Sequence, residues 1–178
     1  IEVNRATSLK RLDYVGWSAP VTNQNLLAFS PNTLTNRFYE YIPTGTTTPT
    51  AYNSVNPTTN SFATGKGYLI RAENTMPSTT TSWNGKFTGT PNNGRINPNV
   101  IYGSSVGLGF NLVGNPYPSP INIHEFIIGN LSKIELRSIF SHNTVFLLCM
   151  ASLISSANSE DQVCWVSNSV RNVNSLKI

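Results

Sequence analysis

Three prolines within five residues, Pro116, Pro118 and Pro120, constrain the folding of this chain more tightly than anything else in it. They close the stretch Gly109-Phe110-Asn111-Leu112-Val113-Gly114-Asn115-Pro116-Tyr117-Pro118-Ser119-Pro120-Ile121-Asn122. Proline lacks the amide donor that helices and ladders both need, so no regular element continues through it. The residues before the prolines, Asn115, Tyr117 and Ser119, are pushed to extended backbone. The stretch reads as a core strand carrying Phe110, Leu112 and Val113, which then leaves along a stiff path with Tyr117 held between two prolines. Gly109 and Gly114 fit bends or close backbone approach better than phosphate binding.

A chain of 178 residues suits one well-buried domain, with or without an appendage. Only 11% of its residues are charged, less than half the usual fraction of about 25%. Asn, Thr, Ser, Pro and Gly take their place, which suits short strands joined by many turns and an extracellular setting. The net charge of +4 comes from scattered residues with no Lys or Arg run, so no nucleic-acid partner is expected. The longest apolar run, Val145 to Ile154, is too short to cross a bilayer, so no membrane span is expected. The chain starts at Ile1 without a basic segment and apolar stretch behind it, and reads as a processed or excised piece of something longer. Its two cysteines, Cys149 and Cys164, either pair in an oxidising compartment, for about 3 kcal/mol in the chain-entropy account, or stay as free thiols.

Strands are expected over Leu12–Pro20, Thr35–Ile42 and Phe62–Ala72, the last bent at Gly65 and Gly67. Asn25–Phe29 reads as a single helical turn, and Pro43–Ser61 as a long surface loop with one weak edge strand. Asn84-Gly85, between the β-favouring arms Thr80–Trp83 and Lys86–Gly89, predicts a two-residue hairpin, and a second turn at Pro91–Gly94 extends it to a meander. After Asn122 the text changes. Ile123–Arg137 predicts a helix capped by Asn122 with Glu125 in its first turn, and the polar remainder predicts helix followed by irregular chain.

Few chemical constellations survive inspection. There are eight acids, and only Glu40 and Glu73, on or at the end of expected strands, offer a carboxylate pair of the kind a glycosidase uses. So few acids also argue against calcium. His124-Glu125 begins like a zinc-protease helix, but Ile128 stands where the second histidine belongs. No metal and no cofactor are expected. Gly103-Ser104-Ser105-Val106-Gly107 matches a serine-hydrolase elbow but lacks its strand-to-helix context. Aromatics say more: Trp17, Tyr68, Trp83 and Tyr117 stand beside Asn, Ser, Thr and Gly, the mixture that stacks on sugar rings and bonds their hydroxyls. Trp17 and Tyr68 read as core. Trp83, beside the expected hairpin turn, and Tyr117, in the proline exit, are the candidate ligand-binding residues.

Five phrases occur in order: Tyr14–Val21 (YVGWSAPV), Phe29–Tyr39 (FSPNTLTNRFY), Phe62–Ala72 (FATGKGYLIRA), Phe87–Gly94 (FTGTPNNG) and Asn111–Asn122 (NLVGNPYPSPIN). Together they resemble a domain of large secreted surface proteins of Bacteroidetes such as flavobacteria, where it lies near a C-terminal type IX secretion sorting domain. The resemblance covers about residues 12 to 144 and implies export, with display at the cell surface or release. It brings no enzymatic activity, cofactor or site residue. The family's Gly- and Asn-rich β text does not continue beyond Thr144, so the rest reads as diverged, truncated or frame-shifted, with a non-native or shifted tail the favoured reading.

The expected architecture is all-β: an antiparallel β-sandwich or jelly-roll-like domain over residues 1–144, with a short irregular or partly helical C-terminal appendage over 145–178. The expected function is that of a non-catalytic module of a bacterial surface protein, serving adhesion, glycan contact or spacing. Its expected partners are a glycan or another surface protein, and other domains of a longer parent chain. The alternative is a carbohydrate-active hydrolase or lyase using Glu40 or Glu73.

Overall fold

The computed structural model describes residues 1–42, 52–100, 110–130 and 163–167. All its strand pairings are antiparallel, and its helices are few and short. Four strands form one sheet in the order β2-β5-β3-β4: β2 (Tyr14–Trp17), β5 (Tyr68–Arg71), β3 (Phe38–Tyr41) and the exposed edge strand β4 (Tyr52–Ser54). Side chains alternate across it, so Trp17 faces Tyr68 and Phe38 faces Ile70, all four on the buried face. A second layer is the ribbon of β1 (Glu2–Leu9) and β6 (Thr81–Thr88), which brings Phe87 and Trp83 against Trp17. Between the layers lies α1 (Leu26–Phe29), one turn long. Its Phe29 ring stacks 4.4 Å from Phe87 and meets Phe62 edge-on at 5.3 Å. This aromatic centre is completed by Val21, Leu26 and Val55. Burying a side chain the size of Phe87 contributes about 1.5–3 kcal/mol.

Asn25 makes α1 possible. Its Oδ1 accepts from Ala28 N at 2.9 Å as an N-cap, while its Nδ2 donates to the carbonyls of Thr58 and Asn60. The helical turn, the edge strand and the Gly65–Gly67 bend are all where the sequence placed them. Gly65 has φ +74°, and the bend accepts β7 (Phe110–Gly114): Gly67 N donates to Leu112 O at 3.0 Å and Gly114 N to Gly65 O at 3.1 Å. Beyond the proline exit, α2 (Ile123–Asn130) starts as expected, with Glu125 N donating to Asn122 Oδ1 and Phe126 N to Asn122 O.

Two expectations are corrected. Asn84-Gly85 is not a hairpin: β6 runs straight through it and pairs residue for residue with β1, from Glu2 opposite Thr88 to Leu9 opposite Thr81. Gly85 is glycine because the aromatic centre passes too close for a side chain. The C-terminal part is not wholly irregular or helical either, since β8 (Val163–Ser167) pairs antiparallel with β7 and places Cys164 opposite Val113. Cys149, the Gly103–Gly107 pattern and residues 131–137 of the expected helix lie outside the described residues.

Candidate functional site

An open groove of about 590 Å³ lies where β6 passes α1. Phe29 and Trp83 form its aromatic part, with Asn23, Glu73, Asn84 and Lys86 around them. Trp83 occupies an inward-facing position of β6, and its ring meets Trp17 at 5.4 Å and Phe29 at 5.5 Å, both edge-on. It is therefore half-buried rather than standing out from a turn, and offers a ligand part of one rigid ring.

Several polar groups around the groove are committed to the fold. Gln24 accepts from Thr88 N at 2.8 Å and donates to Asn25 O at 3.0 Å, and Asn25 caps α1. Lys86 pairs with Glu2 at 2.7 Å, and this ammonium, with help from Asn4, holds the Glu2 carboxyl below its ordinary value. Asn84 Nδ2 donates to Asn4 Oδ1 at 2.9 Å, which leaves the Asn84 carbonyl oxygen available. Among the described residues, the Glu73 carboxylate and the Asn23 side-chain amide have no hydrogen-bond or ion-pair partner. A partly exposed indole beside a free carboxylate and a free amide supplies stacking area, acceptors and donors together, which is what recognition of a polyhydroxylated ring requires.

The sequence named Trp83 but not the groove. Its other walls come from residues 23–31 and from Glu73, brought to β6 only by the tertiary fold. The run Asn23-Gln24-Asn25 was the available signal. Tyr117 does not belong to this groove. Its hydroxyl donates to Gly94 O at 2.7 Å, its amide to Asn115 Oδ1 at 2.9 Å, and its carbonyl accepts from Arg5 Nη2 at 3.0 Å.

Of the two acids Glu40 and Glu73, Glu73 lines this groove and Glu40 does not. Glu40 sits opposite Tyr68 and is ion-paired with Lys66, whose ammonium also lies 5.7 Å from the Tyr68 ring centre. No group of three His, Cys, Asp or Glu suited to a metal occurs among the described residues, and none of their helices is long and apolar enough to cross a membrane.

The chain belongs to the domain-of-unknown-function family DUF8693, whose family model matches residues 1–160. That match runs past residue 144, where the sequence suggested a boundary. No curated protein and no solved structure matches the chain.

Proposed function

We propose that this member of the family is a non-catalytic carbohydrate-contact module of a secreted bacterial surface protein, and that the Trp83 groove is where it meets a neutral sugar. The observation that carries this reading is the pairing of the unpartnered Glu73 carboxylate and Asn23 amide with the half-exposed Trp83 ring. Extracellular or cell-surface placement is supported by the five phrases shared with Bacteroidetes surface proteins and by the low charge content. In this reading Tyr117 is a structural residue. Glu73 is the one acid among the described residues lining the groove, which favours binding over two-carboxylate hydrolysis.

Glycan-array screening followed by calorimetry tests the proposal. Glu73→Gln and Asn23→Ala should each weaken binding of a neutral oligosaccharide about ten-fold, which corresponds to about 1.4 kcal/mol. Trp83→Phe, which keeps a ring in the core contact, should weaken it further, whereas Tyr117→Phe should leave it unchanged. Affinity unaltered by the first three substitutions would remove the groove from consideration.

A further inference from the structure

The four-stranded sheet carries a second set of polar groups on the face opposite its core. Strand alternation places Tyr14, Tyr39 and Arg71 there, since their neighbours Val15, Phe38 and Ile70 point into the core. Tyr14 is paired with Arg71 across β2 and β5, and its ring lies 5.9 Å from that of Tyr39. Arg37 precedes β3, and its Nη1 donates to the Tyr39 hydroxyl at 3.2 Å. Arg37 closes the 3-10 turn Thr35–Arg37 that leads into β3, and Arg71 ends β5 one residue beyond the Phe38–Ile70 pair. Two guanidinium groups thus act on the same two phenols, an arrangement that invites a negative group to intervene.

Nothing negative does so among the described residues. Glu2 pairs with Lys86, Glu40 with Lys66, and Asp13 accepts from Lys10 N. Glu73 and Glu125 form no ion pair. Arg71 is only 8% exposed, and its one side-chain hydrogen bond is a long 3.4 Å contact to Asn74 Oδ1. The Nε atoms of both Arg37 and Arg71 are buried without a partner. A guanidinium taken out of water with neither counter-charge nor full hydrogen bonding is costly. Both charges also reach the two phenols. The Arg37 hydrogen bond holds Tyr39 below its usual range, and Arg37 and Arg71 oppose the burial that pushes Tyr14 up.

We propose that Tyr14, Arg37, Tyr39 and Arg71 form an oxyanion site that takes a sulfate or carboxylate group carried by an acidic polysaccharide. The two guanidiniums supply charge-assisted N–H donors, with the planar fork geometry that oxyanions fit. The Tyr14 ring, 40% exposed, offers a face to the sugar bearing the anion, while its hydroxyl is engaged with Tyr39. The oxyanion site stands on its own geometry. Only the polysaccharide source leans on the proposed carbohydrate role.

The test uses three probes: inorganic sulfate, a sulfated hexasaccharide and its desulfated counterpart, each titrated calorimetrically against the whole chain, Arg37→Gln and Tyr14→Phe. Both substituted residues are partly exposed, and melting curves without anion establish that the variants fold. Sulfate stabilises proteins generally by exclusion from their surface, so direct binding heat is the readout. The expected result is binding of the sulfated hexasaccharide that falls at least ten-fold in Arg37→Gln and several-fold in Tyr14→Phe, weaker binding of sulfate at the same site, and no dependence of desulfated binding on either variant. Sulfate binding with no gain from the hexasaccharide would mean an adventitious ion only and overturn the polysaccharide source. Sulfated-sugar affinity that is unaffected by both variants would overturn the site. Loss of the desulfated sugar in Glu73→Gln reports separately on the Trp83 groove.

Discussion

A Cβ placed on Gly85 would lie 2.8 Å from Phe29 Cζ and 3.0 Å from Trp17 Cη2, both in the centre of the core. Asn-Gly in a β context is the usual mark of a tight turn, and local text cannot distinguish a glycine needed for φ from one needed for space. Gly94 is the opposite case, with φ +73° and nothing within 4 Å of its would-be Cβ. Gly85→Ala should therefore cost about 1–3 kcal/mol by overpacking, and Gly94→Ala about 1 kcal/mol by backbone strain alone. Urea unfolding of the two variants compares them, and a milder effect at Gly85 would contradict the packing account. Tyr68 makes a second prediction at this scale. Burial pushes its phenol up, against the Ala63 N–H bond and Lys66. A raised value means that the neutral phenol's contribution is complete below the ordinary pKa of about 10 and is lost as pH rises through the folded value. Stability should fall above about pH 10, less steeply in Tyr68→Phe. That variant should also be about 1 kcal/mol less stable at neutral pH through loss of the Ala63 bond.

The proline exit shows how far an element can be read without its surroundings. Its extended, helix-free course follows from Pro116, Pro118 and Pro120 alone. What holds it in place does not. Prolines remove amide donors but keep carbonyl acceptors, and each carbonyl from Pro116 to Ser119 accepts from a side chain. Asn92 Nδ2 reaches Pro116 O at 2.9 Å, Arg5 Nη2 reaches Tyr117 O at 3.0 Å and Pro118 O at 3.2 Å, and Asn115 Nδ2 reaches Ser119 O at 2.8 Å. Arg5 is the same residue that hides β1 from a pattern search. The inward positions of that strand are Val3, Arg5, Thr7 and Leu9, so the alternation of apolar and polar residues that marks a strand is broken at its middle. Arg5→Met, which retains much of the stem but none of the donors, should cost about 1.5–3 kcal/mol as the charged hydrogen bonds are lost. The urea midpoint measures it, and an unchanged midpoint would mean that the prolines hold the exit unaided.

Across the whole molecule, legibility follows sequence distance. The short strands at Tyr14, Phe38 and Tyr68 announce themselves through local aromatic and β-branched content, and α1 through its short apolar run. The β1–β6 ribbon, the β7–β8 pair and the Trp83 groove are made by segments far apart in the chain, so only the aromatic member of the groove was visible beforehand. A fold closed by such remote pairings should refold slowly, in milliseconds to seconds. Stopped-flow tryptophan fluorescence would show this, and microsecond relaxation would contradict it. The same register also sets an order of events during synthesis. Leu9 must wait for Thr81 and Glu2 for Thr88 before either has a partner, and at about 5–20 residues per second that delay lasts seconds. Arg5 waits longer still, because its acceptors Tyr117 and Pro118 emerge later than β6. A chain delivered N-terminus first is thus obliged to remain open until most of it is present, and its beginning is among the last parts to be secured.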